Sequence, residues 1–222
     1  GSGYILEAKG REDLEPSPVV LLLDAGGNTA VDSVAQVTLS VNSATNSAGQ
    51  ILGVSIVLAE DGVADYAGTG IKLDLIGQYT LLATISSPVA RTAVSANINV
   101  LAGSVSTVSF AYTASDGTVY GVQPGGTTGG LALSSQPTIV MLDAGSNVAA
   151  GSIETVTLSI SSGPAGGSLS GPVTVAPVNG LATFANVSLT TIGSYVLLAT
   201  VEGGSITTTS SSVAITNGPA AR

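Results

Sequence analysis

The chain has 222 residues, a formal net charge of −9 and only 9% charged residues, and it contains no Cys, His or Trp. Its five Lys and Arg side chains cannot form the basic surface that phosphate backbones require, which excludes nucleic acid as a partner. The missing His and Cys remove the commonest general base, the commonest soft metal ligands and any disulfide. No apolar run approaches the roughly 20 residues that span a bilayer, so membrane insertion is not expected.

The low charge is itself informative. A typical soluble domain has about 25% charged residues. A chain with 9% leaves much of its surface without charge. We therefore expect part of that surface to be covered by other subunits, by glycans or by neighbouring modules.

The first predicted element, residues 1–14, is a charged leader or a first strand. Six of the nine residues in EAKGREDLE, at 7–15, are charged. The segment is either solvated, or its YILEA stretch forms a strand that pairs with its own sandwich or with a neighbour's open edge. In the last case Tyr4, Ile5 and Leu6 are interface candidates. Removing residues 1–13 would then weaken self-association and leave the rest of the chain folded.

Several stretches of the sequence occur twice in the same order. The matched pairs are VVLLLDAGGNTA (19–30) with TIVMLDAGSNVA (138–149), VTLSV (37–41) with VTLSI (156–160), and GQYTLLATI (77–85) with GSYVLLATV (193–201). The nearly constant spacing indicates a tandem duplication, and the small length changes fall between the matched stretches, where loops tolerate them. The predicted domains are residues 15–102 and 103–217, followed by a tail at 218–222.

The matched stretches have the pattern of β-strands. Apolar residues alternate with Thr and Ser through Val37, Leu39 and Val41, and again in the second copy, as in a half-buried antiparallel strand. Asp61-Gly62 and Asn179-Gly180 lie between such runs and favour tight hairpin turns. No long stretch has helical period. The sequence therefore predicts an all-β protein with one β-sandwich in each copy.

A tyrosine in each copy has the setting of a tyrosine corner. In immunoglobulin sandwiches a Tyr at the start of strand F bonds back to the backbone, and a core residue follows two positions later. Tyr79 and Tyr195 fit that place, each two residues after a glycine, Gly77 or Gly193. Leucines 81 and 197 then stand at the position of the second disulfide cysteine. These tyrosines and glycines are predicted to have structural roles.

The succession of these motifs resembles a known family. Asp-Ala-Gly-x-Asn, VTLS, Asn-Gly-x-Ala-Thr-Phe and Gly-x-Tyr-x-Leu-x-Ala-Thr are similar to the Ig-like repeats of bacterial and other large extracellular surface proteins. The resemblance covers nearly the whole chain, although residues 61–66 depart from the usual form in the first copy. It implies two tandem Ig-like modules that are rod-like, extracellular and non-enzymatic. Members of the family share a scaffold and not a ligand, so the resemblance names no partner.

Two groups of oxygen-bearing side chains are weak calcium candidates, because calcium prefers hard oxygen ligands. They are Asp24, Asn28 and Asp32 in the first, and Glu60, Asp61 and Asp65 in the second. The alternative is that the first group closes a turn through its own backbone and that the second is a solvated hairpin turn. The second copy replaces the acids of the second group with Val178, Asn179 and Thr183. The turn interpretation is favoured, and no cofactor is expected.

The second copy begins with a longer segment, residues 106–125, that has no counterpart in the first copy. Asp116-Gly117 within it predicts an extra hairpin. The segment carries three of the chain's eight aromatic residues, Phe110, Tyr112 and Tyr120. We expect these three side chains to contribute to an interface with another subunit.

One sequon, Asn186-Val187-Ser188, could accept a glycan in a secreted protein. Such a tripeptide also arises by chance. Asn186 is thus a candidate glycosylation site.

Three functions are compatible with these observations. The first is a structural module of an extracellular stalk, sheath or filament that self-associates through strand edges, which suits the low charge and the absence of the usual catalytic residues. The second is an adhesin or ligand-binding module, which would concentrate aromatic and Arg anchors in loops at one end. The third and most distant is a carbohydrate-active enzyme, which would need paired carboxylates from residues 60–65.

Overall fold

The computed structural model describes residues 6–44, 48–86 and 90–218. These residues form β-strands and contain no helix, so the all-β prediction is confirmed. The chain divides into two compact units, Gly1–Gly103 and Ser104–Arg222, called here domain 1 and domain 2. Nowhere in the described part of the chain is there a helix long and apolar enough to cross a membrane.

The described residues of domain 1 form ten strands in two layers. Their bounds are β1 (Leu6–Lys9), β2 (Val19–Leu21), β3 (Gln36–Ala44), β4 (Ile51–Leu52), β5 (Ile56–Leu58), β6 (Val63–Asp65), β7 (Lys72–Leu73), β8 (Gly77–Ile85), β9 (Arg91–Val94) and β10 (Ile98–Leu101). The larger sheet has the order β1-β10-β8-β3-β5, with β9 also paired to β8. The other layer contains the pairs β2-β6 and β4-β7. Buried residues of both layers form one core.

Residues 104–218 of domain 2 form thirteen strands. Their bounds are β11 (Thr107–Ser109), β12 (Tyr112–Thr113), β13 (Val119–Tyr120), β14 (Thr127–Thr128), β15 (Thr138–Leu142), β16 (Val156–Ser162), β17 (Leu169–Ser170), β18 (Thr174–Val175), β19 (Leu181–Thr183), β20 (Ser188–Leu189), β21 (Gly193–Val201), β22 (Thr207–Thr209) and β23 (Val213–Thr216). The larger sheet has the order β14-β23-β21-β16-β18, with β22 also paired to β21. Facing it are β11-β15-β19 and the pair β17-β20.

The two domains have the same topology. In each domain a short strand at the edge of the larger sheet runs parallel to the domain's last strand, β1 with β10 and β14 with β23. The long strand of the same sheet pairs antiparallel with the two strands that follow it, β8 with β9 and β10 in domain 1, and β21 with β22 and β23 in domain 2. Two sheets enclosing one apolar core with this order form an Ig-like sandwich. The predicted class of two tandem Ig-like sandwiches is confirmed. Domain 2 differs by the added strands β11, β12 and β13.

The charged leader is part of domain 1. Strand β1 pairs in register with β10, Leu6 opposite Ile98, and Leu14 is fully buried in the core. Asp13 forms an ion pair with Lys72 at 2.7 Å. The segment supplies an edge strand and leads directly into a core leucine, so removing residues 1–13 would take a paired strand from domain 1.

Equivalent two-residue turns close a hairpin in each domain. Asp61 and Gly62 have φ of 49° and 76°, and Asn179 and Gly180 have φ of 50° and 75°. Glu60 and Val63 exchange both backbone hydrogen bonds across the first turn, at 2.8 and 2.9 Å. Positive φ at both central residues is the type I′ geometry that Asp-Gly and Asn-Gly favour.

Candidate functional site

The corner tyrosines are buried and bonded to the backbone. Tyr195 Oη donates to the carbonyl of Thr191 at 2.7 Å, and Tyr79 Oη donates to the carbonyl of Leu75 at 2.8 Å. Both rings are almost completely excluded from solvent. The leucines two positions later, 81 and 197, are core residues. The tyrosines therefore fix the turn before the long strand and are not exposed for binding.

Glycines make room for these rings, a relationship that the sequence interpretation missed. A Cβ atom at Gly163 would lie 2.5 Å from Tyr195 Cδ1, and one at Gly167 would lie 2.6 Å from its hydroxyl oxygen. Gly77 and Gly193 have φ of 142° and 141°, a region that side chains rarely adopt. The Gly-rich stretch SSGPAGGS before β17 indicated a position where side chains are not tolerated. The ring that these glycines contact could not be identified without the fold.

The Asp-Ala-Gly-x-Asn segments are closed turns. Asp24 Oδ1 accepts from the backbone N–H of Gly26 at 2.8 Å and of Asn28 at 2.9 Å, and the Asn28 side-chain amide also donates to this carboxylate. Hydrogen bonds from Asn28 are the main cause of a lowered pKa for Asp24. In domain 2 Asp143 accepts the same set of bonds from Gly145 and Asn147. In both domains the aspartate carboxylate holds its own loop closed, as the turn interpretation of this motif predicts.

The acidic residues near the domain 1 hairpin are dispersed around the turn. Asp61 occupies the turn itself, and Asp65 Oδ1 accepts from the backbone N–H of Ala67 at 2.8 Å. Glu60 and Asp32 are exposed. Across residues 6–44, 48–86 and 90–218, no three acidic side chains come together as a metal-binding group.

The extra hairpin of domain 2 is built around Asp116-Gly117. Tyr112 pairs with Tyr120 across it, with ring centroids 6.5 Å apart, and the Tyr112 hydroxyl donates to the carbonyl of Ser146. Both tyrosines are half-buried. Phe110 is only 1% exposed and belongs to the core of domain 2. Its prediction as an interface residue was wrong, because its side chain lies between the two sheets of its own domain.

The remaining interface and glycan candidates differ in their setting. Tyr4 and Ile5 lie outside the described residues. Leu6 is half-buried and packs against the domain 1 core. Asn186 is exposed with φ of 57°, while the next residue, Val187, is fully buried.

Strand β2 of domain 1 presents an open edge. Leu22 donates its N–H to Gly62 and Tyr66 donates to Pro18, so the even-numbered residues of β2 bond toward β6. Because successive residues of a strand direct their backbone groups to opposite sides, those of Val19 and Leu21 point to the other edge. Among the described residues, β2 pairs with β6 alone.

The equivalent strand of domain 2, β15, is paired on both sides. It bonds to β19 on one edge and to β11 on the other, with Ser109 opposite Val140 and Thr107 opposite Leu142. The consequence for exposure is large. Leu21 is 54% exposed and Leu23 is 56% exposed, whereas their counterparts Val140 and Leu142 are 0% and 5% exposed.

A groove lies between β2 and β9, beside this open edge. It consists of two adjacent cavities of about 260 and 330 Å³ that share Val20, Leu21, Ala83 and Ala93 in their walls. Of the described residues that line either cavity, Arg91 is the one with a charge. In domain 2 the corresponding space between β15 and β22 contains β11, and the side chains of Val108 in this strand and of Phe110 just after it are buried in the core. This apolar groove is the candidate functional site.

The groove could not be recognised from the sequence, although strand β2 belongs to one of the repeated stretches. VVLLL at 19–23 and TIVML at 138–142 have almost the same character, so nothing local distinguishes an open strand from a covered one. The signal was the longer segment before the second copy. In the second copy this segment supplies β11, the strand that covers β15.

Comparison with known proteins adds fold-level similarities. No family profile and no curated protein sequence matches the chain. The chain is similar to a solved structure of the D00-D0 domain of intimin, with 14% identity over 96% of each chain and a TM-score of 0.44. It is similar to the adhesin InvE of Yersinia pseudotuberculosis, with 17% identity over 95% of this chain and 56% of that one, at a TM-score of 0.33. A β-glucuronidase of Parabacteroides merdae matches at 14% identity over 95% of this chain and 24% of the enzyme, at a TM-score of 0.32.

Proposed function

We propose that the chain is a non-enzymatic structural module of an extracellular assembly at the cell surface, joined to its neighbours through strand edges. The observation that carries this proposal is the uncovered edge of β2. Val19, Leu21 and Leu23 expose apolar side chains there, in a chain that carries few charges to prevent edge-to-edge pairing. A neighbouring strand would satisfy backbone groups and bury apolar area together.

The placement of the polar residues supports a structural role. The aspartates of the repeated turns accept hydrogen bonds within their own loops, and the corner tyrosines bond to backbone carbonyls. In each case the polar atoms stabilise the domain itself. The sandwich thus offers a rigid scaffold whose contacts are made by edges and apolar surface.

Electron microscopy and sedimentation of the purified protein test this proposal. We expect concentration-dependent association or filaments. Replacing Leu21 and Leu23 with Lys, which places charges along the exposed edge, should suppress that association. A chain that remains monomeric at all accessible concentrations, and that does not join neighbouring modules when displayed on cells, would contradict the proposed function.

An adhesin that binds a ligand outside the assembly is the second candidate. The stacked pair Tyr112 and Tyr120 favours it, since aromatic anchors are typical of binding hot spots. Replacing both with Ser should abolish cell or ligand attachment if this candidate is right, and should leave association through β2 unchanged if the structural role is right.

A further inference from the structure

We propose that the groove between β2 and β9 is an acceptor site for a β-strand of a neighbouring module, an uncharged strand with apolar side chains at alternate positions. The proposal rests on the structural role suggested above and adds to it the position, direction and chemistry of the incoming strand. Domain 2 is an internal reference for this site, since it has the same sandwich with its groove filled.

The direction of the incoming strand follows from the register of β11 on β15. These strands are antiparallel, and Ser106 donates its N–H to the carbonyl of Leu142 at 2.8 Å. Leu23 is the counterpart of Leu142 and Leu21 is the counterpart of Val140 in the repeat. A strand placed in the same way would run antiparallel to β2 and bond to the outward-directed backbone groups of Leu21 and Leu23.

The inward side chains of that strand would complete the core of domain 1. Val20 and Leu22 are half-buried, whereas their counterparts Ile139 and Met141 are fully buried. In domain 2 this difference coincides with Val108 of β11 and with Phe110 just after the strand, whose side chains enter the core. The cavities of about 260 and 330 Å³ provide space for two such side chains. A strand that fills the groove therefore needs two apolar residues separated by one position, as Val108 and Phe110 are.

The charge of the groove limits which residues the incoming strand can carry. Among the described residues its walls are mostly apolar, with the uncharged polar residues Thr84, Thr92, Ser95 and Asn97 and the cation Arg91, so a cationic strand would meet both desolvation and repulsion. Ser and Thr alternate with the apolar residues of β11 and keep its other face polar. An uncharged strand rich in Ser and Thr suits the site. Pairing of two β2 edges from two copies would leave the groove between the sheets unfilled, and it is therefore the less favoured occupant.

A synthetic peptide with the sequence of residues 104–113 tests the site on the full chain. We expect the fluorescently labelled peptide to bind, measured by anisotropy, and to shift the backbone amide resonances of Leu21 and Leu23. A peptide with Val108→Ser and Phe110→Ser should bind at least about tenfold more weakly, because both inward side chains are lost. A peptide with Thr107→Ala alters an outward residue and should bind as the parent does.

Variants of the chain locate the contact. Leu21→Pro removes an N–H that faces the open edge and leaves the bonds to β6 in place, so it should weaken binding by about tenfold or more. Leu21→Ala truncates the same side chain but keeps that N–H, so it is the matched variant and should bind several-fold more tightly than Leu21→Pro. Because the chain has no Cys, Val94→Cys provides a unique thiol beside the groove for a bromoacetyl peptide. Thr209→Cys, the equivalent position in domain 2, should not react.

The outcomes distinguish this proposal from the proposed function. Absence of binding, equal binding to the Leu21→Pro variant, or reaction at Thr209→Cys in place of Val94→Cys would overturn the acceptor site. So would a stable dimer whose formation requires β2 and which the peptide does not displace, because a second copy would then be the occupant. Filaments that form while the peptide fails to bind would leave the structural role intact and remove only this inference.

Discussion

Tyr195 and Thr191 are joined by a hydrogen bond of 2.7 Å that closes the turn before the long strand β21. The donor ring is fully buried, and Gly163 and Gly167 lie so close to it that neither position has space for a side chain. The same bond recurs between Tyr79 and Leu75 in domain 1. The duplication has thus preserved one backbone contact across sequences that otherwise differ.

The first prediction concerns this bond. Tyr195→Phe should lower the free energy of unfolding of domain 2 by about 1–2 kcal/mol, because the Thr191 carbonyl loses its partner while the packing of the ring is kept. Hydrogen exchange read out by mass spectrometry can assign the change to domain 2. Tyr79→Phe is the matched variant and should destabilise domain 1 instead. Equal stability of Tyr195→Phe and wild type would show that the hydroxyl is not needed at the corner.

The second prediction concerns metal. Chelation of calcium should leave the melting temperature unchanged, because the Asp24 and Asp143 carboxylates accept hydrogen bonds from their own loops. A drop that added calcium reverses would contradict this, since a ligand bound only to the folded state stabilises it by mass action. Asp143→Ala should cost about 1–3 kcal/mol by removing the acceptor of buried donors. Asp24→Ala should cost less, because its loop is exposed to water.

Much of the scaffold could be predicted from the sequence, because its determinants are local and repeated. Period-2 alternation placed β3 and β16, and the Asp-Gly and Asn-Gly dipeptides placed two hairpins with positive φ. Phe110 was predicted to lie at an interface because a single aromatic residue in a Ser- and Thr-rich segment does not indicate whether its side chain points into the core or toward solvent. The open edge of β2 could not be predicted, since exposure there depends on whether a distant segment covers the strand.

The third prediction concerns Tyr66 and alkaline pH. Its hydroxyl donates to the carbonyl of Val37 at 2.9 Å, and burial raises the pKa of Tyr66 from 10.0 to about 12. Because the folded pKa is above the unfolded one, this contribution to stability is complete below pH 10 and is lost as the pH rises toward 12. Domain 1 should therefore lose stability across that interval.

Tyr66→Phe provides the control for this pH dependence. Domain 2 already has Phe184 at the equivalent position, so the ring itself is tolerated. The variant should be less stable at pH 8, by about 1–2 kcal/mol, because the Val37 carbonyl loses its donor. The difference between wild type and variant should shrink from pH 10 to 12. A difference that stays constant would show that Tyr66 does not titrate with unfolding.

The fourth prediction concerns the leader. Leu14 is fully buried in the core of domain 1, directly after the segment that the sequence suggested could be removed. Leu14→Ala should cost domain 1 about 2–5 kcal/mol and leave domain 2 unchanged. Leu131→Ala, at a residue 60% exposed in domain 2, is a control that should change stability little. Full retention of domain 1 stability in Leu14→Ala would mean that the leader is not part of its core.

The fifth prediction compares the same repeat position in the two domains. Leu21 is 54% exposed on an open strand, and its counterpart Val140 is fully buried on a strand paired at both edges. Leu21→Lys should change the free energy of unfolding by no more than about 0.5 kcal/mol, since its ammonium reaches water, and should reduce association through the edge. Val140→Lys should cost domain 2 about 3 kcal/mol or more, because it buries a charge without a partner.

The extra hairpin explains the contrast between the two positions, because the Val122–Thr138 bridge and the hydrogen bond from Tyr112 to Ser146 fasten it at the two ends of β15. Thermal unfolding combined with hydrogen exchange would measure both variants, and equal destabilisation of the two domains would show that β2 is covered in solution as β15 is.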